Sequence, residues 1–93
     1  MYDVCEDIAT FGKGIGNACR YKILEALLKG SKTVSELVEI VGQSQPTVSQ
    51  HLKTLKACKM VTDRREGKEI FYSIVPEYTG FLKDLGKVFG KQS

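Results

Sequence analysis

The chain has 93 residues, of which 42% are hydrophobic and 27% are charged, and its formal net charge is +3. These values are typical of one small globular domain, placed here at residues 1–93, and they leave no room for a second. No apolar run approaches the roughly 20 residues of a membrane span, and no basic-then-apolar targeting segment opens the chain. We therefore expect a cytoplasmic protein without a membrane partner.

The chain contains three cysteines, Cys5, Cys19 and Cys58, and a single histidine, His51. The odd number of cysteines and the absence of a CxxC spacing argue against a disulfide framework and a self-contained tetrahedral zinc site. A reducing compartment fits these thiols. No cofactor and no resident metal site is predicted.

The positive charge is concentrated in one segment. Residues 43–68 contain six basic and two acidic side chains, a local charge of +4, whereas the rest of the chain has eight basic and nine acidic ones. Such a concentration favours a polyanionic partner, although a basic face that meets only solvent is the alternative interpretation.

The beginning of the chain predicts a helix from Tyr2 to Phe11, because apolar residues such as Val4 and Ile8 recur at helical spacing and acidic residues lie near its start. The sequence GKGIG at 12–16 then interrupts the pattern. No strand precedes these glycines and no GKS or GKT follows them, so a flexible hinge is favoured over a phosphate-binding loop.

Two further helices follow. Asn17 is placed to cap the second helix, and Gly30 is placed to end it. The third helix begins with a capping box, in which Thr33 accepts from the amide of Glu36 and the Glu36 carboxylate accepts from the amide of Thr33. Their apolar faces are Ile23, Leu24, Leu27 and Leu28 in the second helix, and Val34, Leu37, Val38 and Val41 in the third.

The fourth helix is joined to the third by a short turn at 42–44, as in a helix-turn-helix corner. Gly42 suits the turn, Ser44 can cap the next helix, and Pro46 fits its first turn. The apolar residues Val48, Leu52 and Leu55 recur at i, i+4 and i+7 and must face the third helix. The open side then carries Gln45, Thr47, Ser49, Gln50 and Lys53.

This row of small hydrogen-bonding side chains matches the chemistry of DNA. Glutamine, serine and threonine can pair with base edges in the major groove, while lysine reaches phosphates. The alternative is a helix face that is merely solvated. His51 is kept among the candidate DNA contacts, although packing against the third helix is the interpretation we favour for it.

A β-hairpin is predicted next. MVTDRR at 60–65 and EIFYSIV at 69–75 are rich in β-branched and aromatic residues, and Glu66-Gly67-Lys68 separates them. Arg64, Arg65 and Lys68 lie at its tip, where they could contact a phosphate backbone or a minor groove. Its core-facing residues are Ile70, Tyr72 and Ile74.

The last segment, from Glu77, predicts a fifth helix with a wide apolar stripe that a chain of this size cannot bury alone. The predicted fold is therefore mainly α with a small β-hairpin (α+β), a winged helix-turn-helix with the hairpin between the fourth and fifth helices. We predict a homodimer that pairs residues 1–15 and 76–93 across a two-fold axis. The interface residues are Val4, Ile8, Phe11, Tyr78, Phe81, Leu82, Leu85, Val88 and Phe89.

The chain resembles the ArsR/SmtB-type repressors. The likeness rests on GNACRYKILEALLKG, TVSELVEIVGQSQPTVSQHLKTLK and MVTDRREGKEIFYSI, together with the flanking helices, and so covers nearly the whole chain. It implies a homodimeric winged-helix repressor that binds double-stranded DNA at an inverted-repeat operator through the fourth helix and wing. By that resemblance the groove-facing positions are Ser44, Gln45, Thr47, Ser49, Gln50 and Lys53, and the backbone or minor-groove contacts are Arg64, Arg65 and Lys68.

Several positions depart from the family pattern. Ala18 replaces a common proline, and Lys59 stands where glycine usually ends the fourth helix, so that helix end is expected to be strained or differently closed. The third helix lacks the paired cysteines of the arsenic, lead and cadmium sensors, and the terminal helix has no histidine for the zinc site. Glu25 occupies the position of a persulfide-sensing cysteine.

The effector is therefore open. Three thiolates from Cys5, Cys19 and Cys58 could hold a soft ion such as trivalent arsenic, or one could respond to oxidation, with Cys19 favoured by its place near a helix start. Small buried hydrophobes are the alternative interpretation of all three. A regulator that needs no ligand is a further alternative.

Two other classes of function were weighed. An enzyme is not expected, because one histidine, no nucleophile–base pair and no phosphate loop leave little catalytic chemistry. A winged helix used for protein interaction would show exposed apolar anchors on the fourth helix, where this chain has Gln, Ser, Thr and Lys.

Overall fold

The computed structural model describes residues 4–90, which form five α-helices and a small three-stranded antiparallel sheet. The predicted mainly α architecture, with a hairpin between the fourth and fifth helices, is confirmed. Residues 2 and 3 of the predicted first helix, and 91–93 of the predicted last segment, lie outside the described residues. In chain order the elements are α1 (Val4–Ile15), α2 (Ala18–Leu27), β1 (Lys32–Thr33), α3 (Val34–Val41), α4 (Gln45–Ala57), β2 (Val61–Glu66), β3 (Glu69–Ile74), a 3-10 turn (Pro76–Tyr78) and α5 (Thr79–Gly90).

The sheet has a strand that the sequence analysis did not predict. β1 pairs antiparallel with β3 (Lys32 opposite Tyr72, Thr33 opposite Phe71), which makes a three-stranded sheet in the order β1-β3-β2. The predicted two-stranded order was wrong on this point. A strand of two residues is too short to show a period of two, so only its partner strand identifies it.

The core lies between α2, α3, α4, the base of the hairpin and one residue of α5. The predicted apolar faces of the helices supply most of it, and Met60 and Val61 add the junction between α4 and β2. The largest side chains with almost no exposed surface are Ile23, Leu24, Leu37, Val48, Leu52, Leu55, Met60 and Leu82. Each contributes about 1.5–3 kcal/mol of burial relative to an exposed position.

The predicted hinge at 12–16 is wrong for most of its length, because α1 continues through Ile15. Gly14 is buried against the end of α4 and the junction that leads to β2: a Cβ there would lie 2.6 Å from the Met60 sulfur and 3.7 Å from Cβ of Cys58. The glycine allows this close approach, which offsets the roughly 1 kcal/mol that glycine costs inside a helix. Arg20 closes the helix end by donating to the carbonyls of Lys13 (2.9 Å) and Gly14 (3.0 Å).

The helix ends predicted at Asn17, Thr33, Gly42 and Ser44 are confirmed, whereas α2 ends at Leu27 with Leu28 as its C-cap, so the prediction that Gly30 ends this helix was wrong by two to three residues. Asn17 Oδ1 accepts from the Arg20 amide at 3.0 Å, and Thr33 and Glu36 form the reciprocal capping box. Gly42 adopts the left-handed conformation (φ 76°) that turns the chain from α3 into α4. The strain expected after α4 is also present, because Lys59 has φ 62°, a conformation that favours glycine.

The last helix begins later than predicted. Residues Pro76–Tyr78 form a 3-10 turn, and α5 starts at Thr79. Tyr78 therefore precedes α5 and reaches Phe11 of α1, where the two rings stack with centroids 5.3 Å apart. None of the helices within residues 4–90 combines the length and apolar character needed to cross a membrane.

Candidate nucleic-acid interface

The fourth helix is held rigidly by its apolar face. Val48, Leu52 and Leu55 are at most 1% exposed, so one side of α4 is sealed against the core. The predicted outward residues Gln45, Ser49, Gln50 and Lys53 are all exposed. The structure thus brings four of the predicted DNA-contacting side chains onto one open helix face.

Two other predicted contacts take part in the helix start. Ser44 Oγ accepts from the Thr47 amide at 3.3 Å and donates to Thr47 Oγ1 at 2.9 Å, and Thr47 is half-buried. The Ser44 hydroxyl is therefore already used as the N-cap. These two residues set the direction of α4, while Gln45, Ser49 and Gln50 remain available as hydrogen-bonding groups.

His51 does not share the exposure of that row. It is half-buried, and its Nδ1 is buried without a hydrogen-bond partner among residues 4–90. Burial, and then the positive charge of Arg20, lower the pKa of His51 below its usual 6.5. Both causes favour the neutral imidazole.

The hairpin that follows α4 has a regular register. Val61 pairs with Ile74 and Glu66 with Glu69, which leaves Gly67 and Lys68 as a two-residue turn. Gly67 supplies the positive φ (64°) that such a tight turn requires. A salt bridge of 2.9 Å from Lys56 Nζ to Asp63 Oδ2 ties β2 to α4. The β2–β3 hairpin is therefore attached to α4 by a side-chain contact as well as by the chain.

The two neighbouring wing arginines lie on opposite faces of the sheet, because successive side chains of a strand alternate. Arg65 is opposite Ile70 and shares the face of Asp63, which carries the contact to α4. Arg64 is opposite Phe71 on the other face. Their place at the predicted hairpin tip made these arginines equivalent candidates, and the structure places them on opposite faces.

Arg64 is engaged within the protomer. Its Nε lies 2.8 Å from Glu66 Oε2, and its guanidinium carbon lies 5.4 Å from the centre of the Phe71 ring. Its Nη1 also donates to Ser31 Oγ at 3.5 Å, the long limit of a hydrogen bond. Arg65 and Lys68 are exposed and have no ion-pair partner within residues 4–90. These two are the wing cations that remain available to a polyanion.

A second surface, formed by α1, the 3-10 turn and α5, is apolar. Phe11 contacts Tyr78 and Phe81, with the Phe81 ring edge-on at 5.3 Å. Leu82 is fully buried in the protomer, so its predicted place in a dimer interface is wrong. The exposed large side chains of this surface are Val4, Ile8, Phe81, Val88 and Phe89, each more than half exposed.

The three cysteines differ in their surroundings. Cys5 is exposed on α1, Cys19 is half-buried at the second residue of α2, and Cys58 is buried at the end of α4. Within the part of one protomer that the structure describes, no group of three or more His, Cys, Asp or Glu side chains is placed to hold a metal ion. The thiols therefore do not converge in the described part of a single chain.

Some residues that shape the interface were missed in the sequence. Arg20 was not singled out, although it closes α1 and lies near His51. Ser31 and Phe71 were not predicted to hold Arg64. The alternation of β3 could have placed Phe71 on the outer face, but no local pattern relates Ser31 to a strand 33 residues away.

The comparisons with known proteins agree with this geometry. The model of the bacterial regulatory protein arsR family matches residues 19–63. The chain is 42% identical over 66 residues to a probable mercury resistance operon repressor from Streptomyces lividans, a match that covers 71% of this chain and 53% of that protein. It thus spans about half the length of that relative.

Two other similarities extend further. The chain is 38% identical over 88 residues to the nodulation protein NolR from Rhizobium meliloti, covering 90% of this chain and 72% of the relative. A solution structure of a homodimeric winged helix-turn-helix DNA-binding domain from Mycobacterium bovis, described as a possible ArsR-family regulator, superposes with a TM-score of 0.88 at 27% identity. That superposition covers 96% of this chain and 83% of the other. With the family model and these relatives in agreement, the chain belongs to the arsR family of bacterial regulatory proteins.

Proposed function

We propose that the protein is a homodimeric, sequence-specific DNA-binding regulator that represses transcription from an inverted-repeat operator. The observation that carries the proposal is the face of α4. A fully buried apolar side fixes the helix, and its opposite side presents Gln45, Ser49, Gln50 and Lys53 to solvent. Side chains of these types match base edges and phosphates in a major groove. We place the regulator in the cytoplasm, together with that DNA.

A homodimer supplies the geometry that an inverted repeat requires, because a two-fold axis presents the same helix to two half-sites. The apolar surface of α1 and α5 is the interface we propose. Burying Val88 and Phe89, 61% and 70% exposed, would remove apolar surface that a protomer leaves in water. The similarity to the homodimeric M. bovis domain supports a dimer, and the exposed apolar side chains support this choice of interface.

The test is a binding titration with the DNA upstream of the protein's own gene. Fluorescence anisotropy measures the binding at several salt concentrations. The expected result is tight binding to that DNA, with a weaker and more salt-dependent affinity for random duplex. Equal affinity for both duplexes would contradict a sequence-specific regulator. Absence of binding to either would favour the alternative, a protein-interaction module.

That alternative has less support from the exposed side chains. Within residues 4–90, the exposed large hydrophobics lie on α1, α3 and α5, and α4 and the wing present none. A protein partner docking on the recognition face would meet mainly uncharged polar groups and cations. The face is therefore better suited to DNA than to the apolar anchors of a protein interface.

A response to thiol oxidation is the second proposal, and the position of Cys19 favours it over metal capture. Cys19 lies in the first turn of α2 and is only half-buried, so its thiol is partly accessible to an oxidant. The described part of one protomer contains no cluster that could hold a metal. Operator-bound protein should be titrated with a mild oxidant, arsenite and zinc, against a variant with Cys5, Cys19 and Cys58 changed to serine. Release by oxidant alone, abolished in that variant, is expected; release by none of the reagents would show that the thiols are structural.

A further inference from the structure

The cations between residues 43 and 68 fall into two groups in the structure. Lys56 is paired with Asp63, and Arg64 is paired with Glu66. The partners of both lie within the protomer, so each positive charge is partly neutralised before DNA arrives. The other four, Lys53 of α4, Lys59 after it and the wing residues Arg65 and Lys68, have no such ion pair within residues 4–90.

Arg64 connects three separate pieces of the chain. Its Glu66 contact lies along β2, the Phe71 ring belongs to β3, and Ser31 precedes β1. Ser31 is in turn joined to Ser73 of β3, with the two hydroxyl oxygens 2.6 Å apart. These contacts form a continuous set on the outer face of the sheet.

The Glu66 contact has a further effect at the wing tip. Glu66 lies directly opposite Glu69, and two like charges in that arrangement destabilise a strand pair. Arg64 supplies the positive charge that offsets this repulsion at the last pair before the turn. An arginine suits the site because its planar guanidinium can lie over an aromatic ring while N–H groups at its edge donate to Glu66 and Ser31; the lysine ammonium lacks this flat, forked geometry.

We propose that Arg64 is a positioning residue that fixes the β2–β3 wing against the segment before β1, and that its neighbour Arg65 is the phosphate-contacting cation of β2. The assignment rests on the proposed DNA-binding function. Arg65 lies on the face of the wing that is tied to α4, and Asp63, the acidic residue two positions away, already has Lys56 as its partner. Its charge is therefore unopposed on the side of the recognition helix.

The two adjacent arginines provide a matched pair of variants. Arg65→Ala should remove one phosphate contact per protomer and reduce the slope of log affinity against log salt by about 0.9 per protomer on random duplex DNA. Arg64→Ala should leave that slope at the wild-type value while lowering the affinity by a similar factor at every salt concentration. Arg65→Lys should retain the slope, because lysine still carries the charge.

A measurement without DNA tests the positioning role separately. Arg64→Ala should accelerate amide hydrogen exchange at Gly67 and Lys68, Arg64→Lys should fail to restore protection, and Arg65→Ala should leave it unchanged. A slope reduced by Arg64→Ala as much as by Arg65→Ala would overturn the proposal, as would unchanged exchange in Arg64→Ala. If the wild type binds no duplex DNA, the proposed function fails, whereas the exchange data still decide the role of Arg64.

Discussion

The helices α4 and α5 are both amphipathic, yet they treat their apolar faces in opposite ways. In α4, Val48, Leu52 and Leu55 are buried completely inside the protomer. In α5 only Leu82 is buried, while Val88 and Phe89 remain largely exposed. The same kind of sequence pattern therefore serves two purposes. One stripe fixes the helix that we propose reads DNA, and the other, in our proposal, contacts a second subunit.

The largest effect is expected from breaking the buried stripe of α4. Leu52→Ala should lower the free energy of unfolding by about 2–5 kcal/mol, because it leaves a cavity at a site that is 1% exposed. Val88→Ala on α5, measured where the protein is monomeric, should change it by less than about 0.5 kcal/mol. Urea unfolding checks both variants. Equal losses would show that the two stripes are equally buried in the protomer.

Substitutions in the exposed apolar stripe of α5 should weaken the association of two subunits, with little effect on the stability of one. Val88→Asp combined with Phe89→Asp should yield monomers at micromolar concentration, because four charged side chains per dimer would be placed in an apolar contact. Ile40→Asp is the matched control, since Ile40 is 54% exposed on α3, outside the proposed interface. Sedimentation velocity distinguishes these cases. A wild type that sediments as a monomer would contradict the proposed interface.

The polar side of α4 should affect recognition more than stability. Gln50→Ala should weaken operator binding by about 1–3 kcal/mol and leave random-duplex binding nearly unchanged, since base contacts specify and phosphate contacts position. Anisotropy titrations on the two duplexes measure the difference. Equal losses on both would exclude Gln50 from sequence readout.

The end of α4 offers a smaller, stabilising change. Lys59→Gly should raise the free energy of unfolding by about 1 kcal/mol, because Lys59 is held at φ 62° and glycine adopts that conformation without a Cβ clash. Lys59→Ala is the control, since it removes the long side chain and keeps the Cβ. Thermal unfolding of the two variants should show a gain for glycine alone.

The smallest effect concerns the half-buried side of α4. The folded-state pKa of His51 is lowered below 6.5. As pH falls, His51 therefore binds a proton in the unfolded chain at a higher pH than in the folded protein. The contribution of His51 to the free energy of unfolding is thus fully present above about pH 6.5. It decreases as pH falls from there towards the lowered pKa of the folded state. The difference in unfolding free energy between wild type and His51→Asn, followed from pH 7.5 to 5.5, should change in that direction. A constant difference would mean that the two states share one pKa for His51.

Local sequence determined much of this protein. The caps at Asn17, Thr33 and Ser44, the turn at Gly42 and the polar row of α4 could all be predicted, because each depends on residues within about one or two helical turns. The strained position of Lys59 was also expected, since it follows from comparing one residue with the glycine usual at a helix end.

The tertiary structure decided the rest, and in each case the partner is distant in sequence. Gly14 continues a helix because Met60 and Cys58 approach it, and β1 exists because β3 lies beside it. Arg64 differs from Arg65 because the strand register places Arg64 opposite Phe71 and Arg65 opposite Ile70, on the two faces of the sheet. Composition and spacing describe what a side chain can do, but burial and pairing depend on which distant residues the fold brings within a few ångströms.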